Sequence, residues 1–252
     1  MPTAREALLD AALSALTDLP WSAVRMVDVA SAAGLSRQTL YNEFGSKDGL
    51  ARALLRREAD RYLYGVERLL RERADAADRL VAVAEWTVVE GRSRPLLRAL
   101  LTGCWNEWLP RPRPVRPSAT PSVVPAQRRA DAGPPAATEL VALVRDRSAA
   151  ALGRRPPEPS RSERHERHER NEPPRPDHLR PDPVRGDPGR FGRVRLDQGR
   201  AELLHRCELA VRLALAHLVA PGGDSVGPLV RTAVTAVPSA LLSAQSPRAG
   251  AR

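Results

Sequence analysis

Apolar residues in this chain recur mostly three or four positions apart, as on one face of an α-helix, and almost nowhere alternate as a strand requires. The first such stretch covers residues 4–19, and Pro20 ends it because proline cannot continue a helix. A short second helix is predicted over residues 27–33, where Gly34 stops it. The pattern therefore predicts an all-α fold.

The same spacing continues along the rest of the chain. A third helix over residues 36–44 ends at Gly45, and a long fourth helix with one apolar stripe covers residues 47–73. Further helices are predicted over residues 75–90, 95–109, 138–152, 199–219 and 226–244. The predicted architecture is an N-terminal three-helix unit, residues 1–47, that the long helix joins to a larger helical body, residues 48–252.

One stretch, residues 153–195, departs from this pattern because it is dense in Pro, Arg, Asp and Glu and nearly free of aliphatic residues. Such a composition buries too little apolar surface to offset the entropy lost on ordering the chain. We therefore predict a disordered insertion in the helical body. Its interleaved Arg and Glu would keep it solvated and add at most weak, non-specific affinity for DNA.

Residues 29–44, VASAAGLSRQTLYNEF, have the features of a helix-turn-helix. This motif needs two short helices joined by a tight turn, and Gly34 can adopt the positive φ that such a turn requires. The apolar residues at positions that would face a shared core are Val29, Leu35 and Leu40. Ser36 is a suitable N-cap for the third helix, because its hydroxyl can accept a hydrogen bond from the amide near Thr39.

A cap at Ser36 places polar residues at the start of the third helix, where a recognition helix presents side chains to base edges in the major groove. Gln38 has the amide geometry to pair with adenine through two hydrogen bonds, and Thr39 can offer its methyl group to thymine. Tyr41 and Asn42 follow on the predicted exposed face as candidates for phosphate or base contacts. The alternative is a helical hairpin whose polar face is merely solvated.

Lys47 is the single lysine of a chain that otherwise uses arginine as its strongly basic residue. It stands at the start of the predicted fourth helix, two residues beyond Gly45. There its ammonium group and the helix-end amides are placed to hold one DNA phosphate together. Chance survival of one lysine is the alternative interpretation.

The charge balance agrees with a nucleic-acid partner but is weaker evidence. The chain has 40 Lys and Arg residues against 30 Asp and Glu, which gives a formal net charge of +10 and favours a polyanionic partner. An arginine-rich chain can also reflect biased codon use. Charge alone therefore does not identify the partner.

From Arg5 to about Leu55 the sequence resembles the N-terminal domain of the TetR family of bacterial repressors. The resemblance lies in the helix that ends near Leu19, in DVASAAGLS and TLYNEFGSKDGL, and in the long helix that follows. It covers about a fifth of the chain. The resemblance implies a homodimer that binds a palindromic double-stranded DNA operator and releases it when a small-molecule effector enters the C-terminal domain.

Carried over by position, the resemblance implies that these residues meet the DNA: Arg37, Gln38, Thr39, Tyr41 and Asn42. Ser36 would cap their helix at the DNA surface, and Lys47 would contact the DNA backbone. Arg25 stands where an N-capping Thr is common, so the cap is lost although the guanidinium can still reach a phosphate. Val27 replaces a commonly polar or basic residue and is given no role. Glu43 suits phosphate poorly, so we expect it to point away.

The resemblance also implies that the last two helices pair with those of a second copy in a four-helix bundle. Apolar residues between positions 203 and 218 form a stripe wider than a monomeric surface helix needs, which makes them candidates for this interface, with internal core as the alternative. The stripe consists of Leu203, Leu204, Cys207, Ala210, Val211, Ala214, Leu215 and Leu218.

An effector pocket is predicted on the fifth and sixth helices, where the pockets of the family lie. The candidates are Trp86, Cys104, Trp105 and Trp108. Aromatic walls suit an apolar ligand with few polar anchors, while ordinary core packing is the alternative. Cys104 and Cys207 are expected to be buried free thiols, because two cysteines form neither a disulfide framework nor a four-ligand zinc site.

Other function classes find little support in the sequence. The chain has no G-x-S-x-G elbow, phosphate-binding glycine loop or HExxH motif, so we predict no enzyme and no cofactor. His165 and His168 have a spacing that can serve a metal, but their arginine neighbours disfavour a cation, and no metal site is predicted. The remaining alternative to a regulator is an interaction adaptor that has lost DNA binding, given the departures at Arg25 and Val27.

The location of the protein follows from its apolar runs. None approaches the roughly 20 residues that a membrane-spanning helix needs. Glu6 and Asp10 interrupt the apolar stretch at the N-terminus, which is therefore not a signal peptide. A cytoplasmic protein without a membrane partner is expected.

Overall fold

The computed structural model describes residues 3–72, 75–111, 133–153, 188–223 and 225–236. Within these ranges every regular element is an α-helix, which confirms the predicted all-α fold. The helices are α1 (Ala4–Asp18), α2 (Met26–Ala32), α3 (Arg37–Phe44), α4 (Lys47–Glu72), α5 (Ala76–Ser93), α6 (Pro95–Thr102), α7 (Ala137–Leu152), α8 (Pro188–Val219) and α9 (Val226–Ala236).

The three N-terminal helices fold around a small apolar centre. Leu8 of α1, Val29 of α2 and Leu40 of α3 are buried there, and Leu35 of the intervening turn packs against them. Helix α1 begins with a capping box, in which the Thr3 hydroxyl accepts from the Glu6 amide at 3.2 Å and the Glu6 carboxylate accepts from the Thr3 amide at 2.8 Å. The predicted core positions of the helix-turn-helix are thus confirmed.

Helix α4 belongs to both parts of the molecule. It contacts α1 and α3 near its start and α5, α6 and α7 further along. Most of its predicted apolar stripe is buried, including Leu50, Leu54, Tyr62, Val66 and Leu70. One apolar core therefore runs from the N-terminal unit into the helical body.

Two polar contacts fix α4 against α5 and the start of α6. The hydroxyl of Tyr62 donates to Thr87 Oγ1 at 2.7 Å, because the Thr87 hydroxyl itself donates to a backbone carbonyl of α5. Glu58, only 2% exposed, lies 2.5 Å from the guanidinium of Arg94, which also pairs with Glu90 at 3.0 Å. Because neither carboxylate of the cluster can be solvated fully, each depends on the Arg94 guanidinium to offset the cost of burying its charge.

The predicted interface stripe of α8 is largely internal. Five of its members are buried within the chain: Cys207, Ala210, Val211, Ala214 and Leu218. They pack where α8 lies against α5, α7 and α9. The interface interpretation is therefore wrong for these residues, because their apolar surface is already covered by the same chain.

The end of α6 differs from the prediction. It ends at Thr102, where Gly103 adopts a left-handed φ of 72°, so residues 103–109 are not helical as predicted. Cys104 lies beyond this end and is exposed rather than buried, while Cys207 is buried as expected.

The start of α8 also differs from the prediction. Residues 188–195, predicted to be disordered, form its first turns. The remainder of the predicted insertion, with His165 and His168, lies outside the described residues, as do residues 237–244 of the predicted last helix. In the described ranges no helix is both long and apolar enough to cross a membrane.

Candidate DNA-binding site

The turn between α2 and α3 has the geometry that the sequence predicts. Gly34 adopts φ 67°, a left-handed value that a side chain would strain. Its amide donates to the Ser31 carbonyl at 3.0 Å, and the Leu35 amide donates to the Ala30 carbonyl at 2.9 Å. The two short helices are thus joined by a closed, hydrogen-bonded turn.

Ser36 caps α3 as predicted. Its Oγ accepts from the Thr39 amide at 3.0 Å, which satisfies a helix-end donor, and lies 2.8 Å from the Thr39 hydroxyl. Helix α3 ends at Gly45, whose φ is 70°. The cap and the glycine define an eight-residue helix whose first two residues, Arg37 and Gln38, are exposed.

The predicted DNA-contacting residues of α3 are here together called the recognition face: Arg37, Gln38, Thr39, Tyr41 and Asn42. Arg37, Gln38 and Asn42 are exposed, and Thr39 is half-buried. Tyr41 is half-buried as well and packs against the core, so it is less available than the sequence suggests. The Arg37 guanidinium lies 5.3 Å from the centroid of the Tyr41 ring.

The start of α2 lacks a side-chain cap, as its sequence predicts. Arg25 occupies the N-cap position and makes no capping hydrogen bond. Its guanidinium instead pairs with Asp28 through Nε at 2.7 Å and Nη2 at 3.1 Å, and this pairing raises the pKa of Arg25. Val27, the residue after the first of α2, is 49% exposed.

Lys47 lies where its ammonium group faces both protein and solvent. Nζ donates to the carbonyl oxygen of Ser22 at 3.1 Å and lies 5.2 Å from the centroid of the Trp21 ring. Partial burial lowers the pKa of this lysine. An ammonium group has three N–H donors, so two remain for a phosphate. The sequence interpretation missed Trp21 and Ser22, which come directly after the proline that ends α1.

Glu43 faces α1 rather than the recognition face. Its carboxylate lies 3.4 Å from Arg5 Nη1, which also donates to the Glu43 carbonyl at 3.3 Å. The same guanidinium is 4.7 Å from the centroid of the Phe44 ring. The negative charge is therefore compensated inside the three-helix unit.

The segment after α6 contacts the N-terminal unit directly. The Trp21 amide donates to the Trp108 carbonyl at 2.9 Å, and Trp105 and Leu109 pack against the main core. The four predicted pocket residues lie in two different parts of the chain, one in α5 and three in the segment after α6. Trp86 lies on α5 against Gly65, with the Arg68 guanidinium 5.8 Å from its ring centroid.

The other three pocket candidates lie in the non-helical segment after α6, where Cys104 and Trp108 are exposed and Trp105 is half-buried. The indole Nε1 of Trp86 is buried, and no described group accepts a hydrogen bond from it. Among the described residues, no cluster of three or more His, Cys, Asp or Glu side chains is arranged to hold a metal ion.

Residues 8–54, which include the whole helix-turn-helix and the start of α4, match the family model described as bacterial regulatory proteins of the tetR family. The chain is also 40% identical over 100 residues to the HTH-type transcriptional regulator AlkX of Mycobacterium tuberculosis. That match covers 39% of this chain and 47% of AlkX. Residues 8–54 are thus a DNA-binding domain of the tetR family of bacterial regulatory proteins.

A second curated relative is the HTH-type transcriptional activator FasR of Mycolicibacterium smegmatis, 38% identical over 81 residues, or 32% of this chain and 37% of FasR. The matches to both relatives thus span less than half of their length. Among solved structures, a TetR-family regulator from Streptomyces coelicolor aligns with 92% of this chain and 94% of its own at a TM-score of 0.48 and 19% identity. The TetR family repressor AlkX from a Dietzia strain aligns with 96% of both chains at a TM-score of 0.45 and 20% identity.

Proposed function

We propose that this chain is a sequence-specific transcriptional regulator that places α3 in the major groove of duplex DNA. The observation that carries the proposal is a set of three exposed polar side chains on the capped helix α3, directly after a closed glycine turn: Arg37, Gln38 and Asn42. Side chains at the first turn of such a helix reach base edges, whereas the flanking cations Arg37 and Lys47 suit phosphates.

The operator we propose is a palindrome bound by a homodimer. The last two helices keep exposed apolar surface after their inner face is buried: Leu229 is 55% exposed and Val219 is 56% exposed. A second copy of the chain related by two-fold symmetry would cover this surface and place two α3 helices one helical turn of DNA apart.

The dimer can be tested by sedimentation with one changed residue. Leu229→Asp should shift the protein to the monomer and weaken binding to a palindromic duplex. Tyr64→Asp, which places the same charge on an exposed apolar residue of α4, should leave both unchanged. A Leu229→Asp protein that stays dimeric would refute this part of the proposal.

Release by a small-molecule effector is the proposed mode of regulation, with repression as the proposed sign. The buried indole Nε1 of Trp86 lies beside α4, and no described group accepts a hydrogen bond from it, which supports a ligand that is mainly apolar and carries an acceptor. Trp105 is half-buried in the segment that contacts the N-terminal unit, and we propose that it lines the effector pocket. The exposed Cys104 and Trp108 would lie at the rim of that pocket. A reporter gene placed behind the chain's own upstream region distinguishes repression from activation, since deletion of the regulator raises expression only under repression.

DNA binding itself is tested by selection from a random duplex library followed by a gel shift. We expect one palindromic motif to be enriched and its affinity to fall steeply with salt. The adaptor alternative predicts no enriched motif and no shift at low salt. Absence of both would therefore refute the regulator and favour an adaptor.

A further inference from the structure

Two polar side chains of the recognition face are joined to each other. Nε2 of Gln38 donates to Oδ1 of Asn42 at 2.9 Å, between exposed residues one turn apart on α3. Side chains four positions apart on a helix lie on the same face, so this contact needs no distortion of the helix.

The contact leaves a definite set of hydrogen-bonding atoms on Gln38. One N–H of the amide is used, while no described residue binds Oε1 or the second N–H, so both can face the groove. Adenine presents an N6 donor beside an N7 acceptor, which that pair of atoms complements. Guanine presents two acceptors, O6 and N7, and Oε1 would meet one of them without a hydrogen.

The neighbouring residues are restrained in the same way. Thr39 is held by the hydroxyl of Ser36, and the Arg37 guanidinium lies over the ring of Tyr41. Residues 37, 38 and 39 thus each have a partner within α3 or its cap. Side chains that are already ordered lose less conformational entropy on binding, so the contacts favour both affinity and a fixed choice of base.

We propose that Asn42 is a positioning residue that gives Gln38 its preference for adenine over guanine. This proposal rests on the proposed function, because it assigns Asn42 a role within the recognition face. Asn42 acts through the amide of Gln38: without its Oδ1, that amide is free to rotate and to donate both N–H groups to guanine.

The test uses motif selection from a random duplex library with four proteins: the natural chain, Asn42→Ala, Gln38→Ala and the double variant. The natural chain should select adenine at one base pair of each half-site. Asn42→Ala should lower the ratio of adenine to guanine affinity about five- to tenfold at that same base pair, within the range of one base contact. In the Gln38→Ala background, Asn42→Ala should change this ratio no further.

Asn42→Asp is the conservative control. It keeps the acceptor Oδ1, so the adenine preference should return, while the added negative charge lowers affinity for all duplexes alike. Since Asn42 is exposed, the variants should unfold at the temperature of the natural chain.

Four results would overturn the proposal. The natural chain selects guanine at that position; Asn42→Ala leaves the ratio unchanged; Asn42→Ala alters a different base pair from Gln38→Ala; or its effect persists without Gln38. If the proposed function itself is wrong, the result differs, because the natural chain would then enrich no motif at all. The role proposed for Asn42 would be refuted together with that function.

Discussion

The ammonium group of Lys47, the first residue of α4, lies 3.1 Å from the carbonyl oxygen of Ser22 in the segment between α1 and α2. The only lysine in the sequence therefore ties the start of α4 to the segment between α1 and α2, and it is the residue that we propose to contact the DNA backbone. The ring of Trp21 lies under the same ammonium group, and the Trp21 amide in turn binds the segment after α6. One residue thus joins the DNA-binding unit to the helix that carries it.

Replacement of Lys47 by Met should weaken DNA binding and lower Tm by a few degrees. The unbranched stem is kept, so the loss reports on the charge and its bond to Ser22. If Lys47 contacts a phosphate, affinity falls for all sequences alike and the slope of log affinity against log salt decreases by about one. Anisotropy titrations at several salt concentrations measure both.

Arg61→Met is the matched control, since it removes one exposed positive charge further along α4. It should leave Tm and the salt slope as they are. Equal slopes for Lys47→Met and the natural chain would show that Lys47 is structural only.

Loss of the α3 cap should destabilise the recognition helix. Ser36→Ala removes the acceptor of the Thr39 amide and should cost about 1 kcal/mol of unfolding free energy. Ser36→Asp retains an acceptor and should recover most of it. Urea denaturation gives these values, with the exposed Ser14→Ala in α1 as the control. An unchanged stability for Ser36→Ala would mean that the cap contributes nothing.

Removal of Arg94 should be among the most destabilising single changes in the chain. Arg94→Ala leaves Glu58 buried without a counter-charge, at an expected cost of about 3–5 kcal/mol. Replacement of both residues by apolar ones, Glu58→Met with Arg94→Leu, should recover a large part of this loss. Arg71→Ala breaks an exposed pair with Glu67 and should cost about 0.5 kcal/mol or less. A small effect of Arg94→Ala would show that Glu58 reaches water.

The two cysteines should differ in reactivity. Cys104 is exposed, whereas burial raises the pKa of the Cys207 thiol to about 12 and leaves it almost entirely protonated at neutral pH. A thiol-reactive dye should therefore label one cysteine of the native protein rapidly and the second only after denaturation. Rapid labelling of both would contradict the packing of α8 against α5 and α9.

The sequence predicts local geometry well and tertiary partners poorly. Gly34 and Ser36 act on their immediate neighbours, so turn and cap follow from residue type alone. The bond from Lys47 to Ser22 joins residues 25 positions apart, and no local pattern indicates it. Apolar residues beyond Gly103 continue the spacing of α6, which is why the helix is predicted too long.

Helix α8 illustrates a different limit of prediction from sequence. A broad apolar stripe indicates burial without saying what covers it, since the same side chains suit an internal core and a dimer interface. In this chain α5, α7 and α9 cover most of the stripe. The candidates for the second copy are therefore residues that the stripe does not include, such as Leu229.

The central claim is that α3 recognises specific base pairs, and the most direct measurement is the affinity of Gln38→Ala for the selected palindromic duplex and a scrambled one at fixed salt. The natural chain should prefer the palindrome by about a thousandfold or more. Gln38→Ala should lose about five- to 150-fold on the palindrome and little on the scrambled duplex. Equal affinity of the natural chain for both duplexes, or an unchanged preference in Gln38→Ala, would contradict the account.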